Sequence, residues 1–299
     1  MVKHVVSVSL GSAQRNHRVK QRLLGQQMLI ERIGTDGSLA KAQKILKDLD
    51  GKVDALALGG INLTYRVGRC HYPLREGKIV SRVVQHTPLV DGSSFKDVVE
   101  PQMIYYLSTN YGWPGPGQKV LLVSALDRWG MAQALEQSGC QLIIGDALFG
   151  LKLPLPFYSL KMFQRAAKLT LPLLSQLPIK MLYPLGEKQE HSQPKWQHIF
   201  NSANIIAGDF HFMRRYMPPA LPGRKIITST VTASDRVFLK QRGISHLVTY
   251  SPTFAGRSFG ANVLEAICVA LLDKPQPEPE MYLEVLKQLG WKPNVERLN

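Results

Sequence analysis

The residues best suited to proton chemistry in this sequence are a lysine and an aspartate in one short polar stretch. Asp91 and Lys96 flank the residues GSSF, which are typical of a Gly-Ser loop. A lysine whose charge is balanced by a nearby carboxylate can take and return the proton of an alcohol that is being oxidised. We therefore expect Lys96 to act as a general base with Asp91 as its partner, although the spacing does not require the two side chains to touch.

A histidine follows one of the predicted apolar strands. The run GDFH places a carboxylate and an imidazole two residues apart, and the imidazole belongs to His211. Histidine titrates near neutral pH, so His211 is a candidate general acid or base. A structural role at the start of a helix is the commoner use of a lone histidine and stays open as the alternative.

Polar residues in the first third of the chain could hold an anionic ligand. Arg15 lies in a basic stretch after the first predicted strand, Arg66 lies further along, and Asn62 ends the run GGIN after another strand. A guanidinium can bind a carboxylate through two parallel hydrogen bonds. We expect Arg15, Arg66 and Asn62 to bind a small anionic substrate, with solvated surface arginines as the ordinary alternative.

The stretch KVLLVSALDRWGMAQALEQSGCQLIIGD has the strand, helix, strand order of a βαβ unit. The predicted cofactor residues of its first turn are Ser124, Asp127, Arg128 and Gly130, because a helix N-terminus there could face a pyrophosphate. Asp146 follows about 20 residues later, where a dinucleotide-binding fold places its ribose-binding carboxylate. The turn has one glycine and does not contain G-x-G-x-x-G, and Asp127 could instead cap the helix.

Two threonines near the end of a later strand complete the predicted cofactor site. Thr228 and Thr230 belong to the run KIITSTVT. Their hydroxyls would lie near a nicotinamide or a substrate if this strand ended at the same edge of the sheet. A turn followed by a helix cap is the plain alternative.

Short apolar strands and amphipathic helices alternate along the chain and must position these residues. Ser38 is typical of an N-cap, and residues 53–58 are apolar nearly throughout, as in a parallel strand covered on both faces. After the Gly/Pro cluster GWPGPG, roughly six strands alternate with helices.

This pattern predicts an α/β protein with two domains, an N-terminal α/β domain and a C-terminal Rossmann-like doubly wound parallel sheet. We expect residues 1–112 to form the substrate domain and residues 118–273 the nucleotide-binding domain. Residues 274–299 are expected to form a Pro-rich linker and a final helix.

Composition favours a protein that binds a small molecule over one that binds nucleic acid or spans a membrane. The net charge of +15 raises the prior for anionic partners, but the excess is spread along the chain and forms no recognised nucleic-acid motif. Three distant cysteines fit a reducing compartment and give no zinc spacing, so no metal is expected. The N-terminus is typical of a strand, and we expect a cytoplasmic protein without a membrane span that could form oligomers.

Residues 149–183 are rich in leucine, proline, lysine and aromatic residues. They predict two short helices before a strand at 179–183. One long amphipathic helix is disfavoured by four prolines, Pro154, Pro156, Pro172 and Pro178. The segment is therefore expected to belong to the core or to a lid, and not to contact a membrane.

Several motifs resemble those of the quinate/shikimate dehydrogenases, most closely the bacterial quinate 5-dehydrogenase-like members. The stretches are VSVSLGS, ERIGTDG, TPLVDGSSFK, AGDFHFMRRYMP and GRSFGANVLEA. The resemblance implies an N-terminal substrate domain and a C-terminal NAD(P)-binding domain, with Lys96 as the base and Asp91 as its partner. The family's G-x-G-x-x-G and N-V-T-x-P-x-K motifs are not present.

The sequence thus predicts an oxidoreductase that uses NAD or NADP to oxidise a hydroxyl of a small polyhydroxy carboxylic acid. One alternative is an enzyme that binds a nucleotide-sugar or another phosphate ligand on paired Rossmann-like domains. Another is a non-enzymatic basic protein that binds nucleic acid, which would lose affinity steeply with salt.

Overall fold

The computed structural model describes residues 2–178, 192–254 and 257–299, and within them the chain is a mixed α/β protein. The strand expected at 179–183 lies outside these residues. Two large sheets dominate, and each is parallel apart from one antiparallel edge strand. The prediction of an α/β fold with parallel sheets is confirmed, and the division into two domains stays a prediction.

The first sheet is built from five strands in the order β2-β3-β1-β4-β7. Its strands are β1 (Lys3–Ser9), β2 (His17–Leu23), β3 (Gln26–Gly34), β4 (Ala55–Gly59) and β7 (Leu89–Val90). A 3-10 helix (Ala13–Arg15) precedes β2, and a separate hairpin joins β5 (Thr64–Val67) to β6 (Cys70–Pro73). The helices are α1 (Leu39–Leu49), which Ser38 caps as expected, and α2 (Arg75–Ser81).

The second sheet contains six strands in the order β15-β12-β11-β10-β8-β9. Its strands are β8 (Lys119–Leu122), β9 (Gln141–Ile144), β10 (Ile205–Ala207), β11 (Lys225–Thr228), β12 (His246–Thr249) and β15 (Asn294–Arg297). Strands β13 (Thr253–Phe254) and β14 (Arg257–Ser258) form a small antiparallel pair. The edge strand β15 follows the last helix, where no strand was expected.

Nine further helices follow in the described part of the chain. They are α3 (Ser93–Tyr111), α4 (Trp129–Gln137), α5 (Asp146–Phe149), α6 (Leu160–Leu174), α7 (Gln197–Ser202), α8 (Phe210–Tyr216), α9 (Ala233–Gln241), α10 (Ala261–Leu272) and α11 (Pro279–Gln288). The βαβ unit of β8, α4 and β9 is present as expected. Helix α3 begins four residues before the predicted start at Asp97, so Lys96 lies in its first turn.

The core follows from the alternation of side chains along the strands. On β8, Val120 and Leu122 face one cluster of buried side chains, whereas Leu121 faces another on the opposite side of the sheet. On β1, Val5 joins the same cluster as Val120, and Val6 packs towards α1. One apolar core therefore runs from the first sheet to the second.

Helices α3 and α10 carry this core between the two sheets. Helix α10 packs against β1 and β4 of the first sheet and against α3, and α3 packs against α4 of the second. Phe95 and Met103 of α3 and Ile267 of α10 are fully or almost fully buried. The carboxyl ends of the two sets of parallel strands are thereby fixed on either side of one cleft.

Candidate functional site

The cleft lies where the strand order of each sheet reverses. In the first sheet the switch lies between β1 and β4, and in the second it lies between β8 and β10. Ligands of open α/β sheets bind beyond the carboxyl ends of the strands at such points. A cavity of about 380 Å³ fills this space, and Gly59, Ser124 and Asp209 from the ends of β4, β8 and β10 line it.

Six polar residues form one side of this cavity, which we call the polar floor. Its members are Asn62, Lys96, Asp127, Arg128, Asp146 and Asp209. At its centre, the Lys96 Nζ atom donates a hydrogen bond to Oδ1 of Asp127, and the Asn62 amide donates to the same oxygen. The structure thus brings together residues from three separate stretches of the sequence.

Lys96 pairs with Asp127, and the predicted pairing with Asp91 is wrong. The Asp91 carboxylate accepts hydrogen bonds from the backbone N–H of Leu63 at 2.6 Å and of Ser93 at 2.9 Å. It therefore fixes the start of α3, one turn away from the Lys96 ammonium. The error arose because Lys96 was assigned to a loop, whereas its position on a helix directs it across the cleft.

The charges at the floor keep Lys96 protonated. Burial lowers the pKa of Lys96, but the Asp127 carboxylate outweighs burial and the net pKa is raised above its ordinary value. Burial likewise raises the pKa of Asp127, but Lys96 and Arg128 outweigh it and the net pKa is lowered. Both groups are charged at neutral pH, so the predicted role of Lys96 as a resting base does not follow from its surroundings.

Arg128 is an internal support of the floor. Its guanidinium forms an ion pair with Glu100, whose side chain is 0% exposed, and its Nη2 lies 4.0 Å from Oδ2 of Asp209. Burial raises the pKa of Glu100 to about 7, against the opposing effect of Arg128. The sequence reasoning missed Glu100, although its i, i+4 spacing from Lys96 would have indicated it once both were assigned to one helix.

The turn after β8 does not fit the pyrophosphate of a dinucleotide. The Asp146 carboxylate accepts hydrogen bonds from the backbone N–H of Ala125 at 2.7 Å and of Leu126 at 2.9 Å. Asp127 stands where the fold uses a glycine to let the backbone approach the phosphates. Two carboxylates therefore surround a turn that would have to receive an anion, and NAD or NADP is not accommodated there.

The other residues of this turn contact neighbouring parts of the protein. A Cβ atom added at Gly130 would lie 3.0 Å from the Asp97 carbonyl oxygen, so this glycine allows α4 to approach α3. The Ser124 hydroxyl accepts from the Asp209 N–H at 3.3 Å. Trp129 is buried with its ring stacked on Phe163 at 6.4 Å between centroids.

The Asp146 carboxylate is bound to the turn through these two hydrogen bonds, and its predicted role as a ribose ligand stays a prediction. Burial raises the pKa of Asp146 to about 7, although the two backbone hydrogen bonds oppose this effect. The Asp146 carboxylate thus binds backbone N–H groups of the turn in which the sequence predicted a pyrophosphate site.

The remaining predicted cofactor and catalytic residues lie outside the residues that line the cavity. The Thr228 hydroxyl is fully buried and donates to the Gly208 carbonyl at 2.9 Å, and Thr230 lies in the turn that follows β11. His211 lies in the first turn of α8, where its backbone N–H donates to the capping carboxylate of Asp209 at 2.9 Å. Burial lowers the pKa of His211, which keeps the imidazole neutral at pH 7.

Of the three predicted substrate-binding residues, Asn62 lines the cavity. Arg66 pairs with Asp97 at 2.6 Å beside it. Arg15 belongs to the 3-10 helix before β2, and its charge lowers the pKa of His211. Arg15 and Arg66 are therefore not among the described residues that line the cavity, and their role in binding a substrate carboxylate stays a prediction.

Aliphatic and aromatic side chains form the opposite side of the cavity, which we call the apolar wall. Its members, from the loop before α6 and the inner face of that helix, are Leu151, Leu153, Leu155, Phe157, Phe163, Ala167, Leu171 and Leu174. The alternation of leucines at 151, 153 and 155 in the sequence was the signal for this wall. Tyr65 and Tyr250, also missed, line the cavity, and burial raises the pKa of both phenols.

The cavity carries more negative than positive side chains. Four aspartates, Asp91, Asp127, Asp146 and Asp209, line it against the two bases Lys96 and Arg128. Both bases already have carboxylate partners. The arrangement can donate a proton from Lys96 and accept hydrogen bonds from hydroxyl groups, and it disfavours an anionic ligand.

Fold and site together define a mixed α/β protein with a ligand-sized cleft between two largely parallel sheets. The chain belongs to the family described as Domain of unknown function (DUF8754), whose family model matches residues 94–298. A second model, Domain of unknown function (DUF8753), matches residues 4–91. No curated protein matches the chain.

Solved structures resemble the chain only distantly. L-tryptophan dehydrogenase from Nostoc punctiforme is 12% identical over 89% of this chain and 67% of its own, with a TM-score of 0.35. GanP, a glucose-galactose binding protein from Geobacillus stearothermophilus, is 12% identical over 100% and 98%, with a TM-score of 0.35. Phosphoglycerate oxidoreductase from Vibrio Cholerae o395 is 10% identical over 96% of each chain, with a TM-score of 0.32. Such scores carry no argument about function, and the resemblance to quinate/shikimate dehydrogenases stays a prediction.

The described residues contain no group of three histidine, cysteine, aspartate or glutamate side chains that could hold a metal ion. Within the same residues, every helix is too short or too polar to cross a bilayer.

Proposed function

We propose that the protein is an enzyme that transfers a proton at a carbonyl or hydroxyl group of a small uncharged ligand, with Lys96 as the proton donor. The observation that carries this proposal is the Lys96–Asp127 pair, which lies at the floor of a 380 Å³ cavity. A protonated lysine in a water-poor site stabilises negative charge that develops on a carbonyl oxygen.

The lining indicates the class of ligand. Four aspartates against two paired bases favour an uncharged, hydroxyl-bearing head over the small anionic substrate expected from the sequence. The apolar wall provides a surface for an aliphatic or aromatic body. We therefore propose a neutral amphiphile with a polar head at the floor, in place of a polyhydroxy carboxylic acid.

The proposal assigns parts to the floor residues other than Asp146. The carbonyl oxygen of the substrate accepts a hydrogen bond from the Lys96 ammonium. The Asp209 carboxylate, which also lines the cavity, takes a proton from the carbon next to the carbonyl, the oxygen takes the proton of Lys96, and an enol forms. Asp209 then exchanges its proton with solvent and returns one to carbon as the carbonyl forms again. Asp127 and Asn62 hold the ammonium in place through the shared Oδ1 atom. Arg128, paired with Glu100, supports Asp127 from beneath. Solvent then returns a proton to Lys96.

The sequence predicts oxidoreduction with NAD or NADP. The acidic turn after β8 argues against this reaction. Proton transfer beside a carbonyl, as in isomerisation, needs no dinucleotide and is the form that we favour. Calorimetric titration with NAD+ and NADP+ is expected to give no heat of binding. A saturable heat with either dinucleotide would restore the oxidoreductase form.

Isotope exchange tests the proton transfer without knowledge of the natural substrate. The purified chain is incubated in D₂O with 2-decanone or 1-hydroxy-2-decanone, and mass spectrometry measures deuterium uptake next to the carbonyl. We expect acceleration by the wild type and a loss of about 10²–10⁴-fold in Lys96→Met, the usual range for a positioned acid. The exposed-lysine variant Lys47→Met is the matched control, and equal rates in Lys96→Met and wild type would contradict the proposal.

A further inference from the structure

Exposed apolar side chains concentrate on one part of the molecular surface. Of the thirteen large apolar side chains that are exposed among the described residues, seven lie between residues 151 and 173. They are Leu151, Leu153, Leu155, Tyr158, Met162, Leu169 and Leu173, which we call the apolar patch. Leu169 is 83% and Leu173 72% exposed, although both belong to a helix with a buried face. Contiguous apolar surface of this kind marks an interaction site.

Basic side chains are interleaved with this patch. Lys152, Lys161, Arg165 and Lys168 are all exposed, and residues 147–178 contain no aspartate or glutamate. The outer face of α6 therefore alternates Met162, Leu169 and Leu173 with cations. Pro172 lies in the last turn of α6 without ending it, and the other three prolines lie outside the helix, so α6 is amphipathic over its 15 residues.

The cavity and the patch share residues. Leu151, Leu153 and Leu155 line the cavity and are also 37% to 54% exposed, so they form its mouth. Phe163 and Leu171, on the inner face of α6, belong to the apolar wall. The helix whose outer face carries the patch is therefore one wall of the cavity.

We propose that the apolar patch docks on an anionic lipid membrane, with α6 lying in the plane of the interface. Leucine and methionine would enter the boundary between headgroups and acyl chains, while the flanking lysines and arginine would face anionic headgroups. Docking in this way would open the mouth of the cavity directly to lipid. The inference goes beyond the proposed reaction, since the patch can bind a membrane whatever chemistry Lys96 performs.

Charge complementarity favours lipid over a second copy of the chain. A symmetric dimer through this face would place Lys161, Arg165 and Lys168 of both copies close together, and residues 147–178 offer no carboxylate to compensate them. A surface of anionic headgroups supplies the opposite charge along the whole helix.

Vesicle flotation with the full chain tests the proposal. Vesicles of phosphatidylcholine with 30 mol% phosphatidylglycerol are compared with pure phosphatidylcholine, each at low and at high salt. We expect flotation with the anionic vesicles, and we expect salt to weaken it. Absence of binding to the anionic vesicles would overturn the proposal.

Two double variants separate the apolar from the electrostatic part. Leu169→Ser/Leu173→Ser is expected to abolish flotation. Lys161→Gln/Lys168→Gln is expected to weaken the partition coefficient by roughly 25-fold, since each basic side chain near an anionic surface contributes about 1 kcal/mol, or about 5-fold. The matched controls are Lys44→Gln/Lys47→Gln on α1 and Tyr105→Ser/Val237→Ser elsewhere on the surface. Equal losses in the controls would show a non-specific effect of charge or apolarity and would refute docking through this face.

A local fluorescent reporter tests where the membrane is met. Leu169→Trp should shift its emission to the blue on addition of anionic vesicles, whereas Tyr105→Trp, on α3, should not. A dimer in solution that Leu169→Ser/Leu173→Ser dissociates, together with unchanged emission from Leu169→Trp on vesicle addition, would assign the patch to self-association and overturn the proposal.

Discussion

The polar floor and the apolar wall of the cavity are stabilised by different interactions. On the polar floor nearly every group has a partner within the protein, as Lys96 has Asp127 and Arg128 has Glu100. The apolar wall is held by burial on the inner face of α6 and becomes more exposed towards residues 151–155. The floor is therefore expected to be rigid and sensitive to the loss of any one member, and the wall is expected to tolerate change and to adapt to its ligand.

The largest effect is expected on removal of a partner from the floor. Glu100→Ala leaves the buried guanidinium of Arg128 without its closest carboxylate and should lower the free energy of unfolding by about 3–5 kcal/mol. Urea unfolding measures this loss, with the exposed Glu136→Ala as the control. The double variant Glu100→Leu/Arg128→Met should regain at least half of it. A loss below about 1 kcal/mol in Glu100→Ala would remove the distinction between floor and wall.

A smaller loss is expected from the buried part of the wall. Phe163→Ala removes a ring that contacts Trp129 and Phe157. Because the ring already borders a cavity, we expect about 2–3 kcal/mol, at or below the lower end for a core aromatic. Urea unfolding measures this loss, and a loss of unfolding free energy as great as that of Glu100→Ala would contradict the ranking. In a separate titration, larger apolar probes should bind Phe163→Ala more strongly than the wild type.

The floor should also depend on pH in a way that the wall does not. Because burial raises the pKa of Asp146 to about 7, the folded protein binds a proton there that the unfolded chain releases near pH 4. This contribution to stability is complete below about pH 4 and is lost as pH rises to about 7, at no more than about 1.4 kcal/mol per pH unit. Thermal unfolding of Asp146→Asn between pH 4 and 8 should show a shallower decline than the wild type, because Glu100, whose pKa burial also raises to about 7, still titrates there. Leu155→Ala should parallel the wild type. A wild-type profile that matches Asp146→Asn would show that Asp146 does not titrate in this range.

The smallest effect on stability is expected at the mouth. Leu155→Ser changes a half-exposed side chain and should alter the free energy of unfolding by less than about 0.5 kcal/mol. It should still weaken binding of the neutral dye Nile red several-fold, as measured by fluorescence, because Leu155 lines the cavity. Unchanged dye affinity would place the dye, and by extension an apolar ligand, elsewhere.

Local pattern was enough to predict the parallel α/β elements, because buried strands and capped helices have short-range signals. Ser38 and the unit formed by β8, α4 and β9 are examples. The floor could not be predicted in the same way, because its contacts join Asn62, Lys96 and Asp127 across long stretches of chain. A shift of four residues in the start of α3 was enough to give Lys96 the wrong partner.

The surroundings of the predicted nucleotide site could not be predicted for a related reason. Sequence spacing placed Asp146 where a ribose ligand belongs, but spacing does not tell whether a carboxylate faces a ligand or the protein's own amides. The acidic residue at the second glycine position, Asp127, was the local sign that this turn differs from a typical diphosphate-binding turn. The sequence shows that the segment of the apolar patch is rich in leucine. It does not show which of these side chains are exposed, because that depends on which face of α6 is buried.

The position of α10 has a consequence for synthesis of the chain on the ribosome. Residues 261–272 cover one face of β1 and β4, which lie within the first 59 residues. That face stays uncovered until some two hundred further residues have been translated. The N-terminal half therefore cannot complete its fold as it emerges, and a chain truncated before α10 would expose the apolar face of its first sheet to chaperones and proteases.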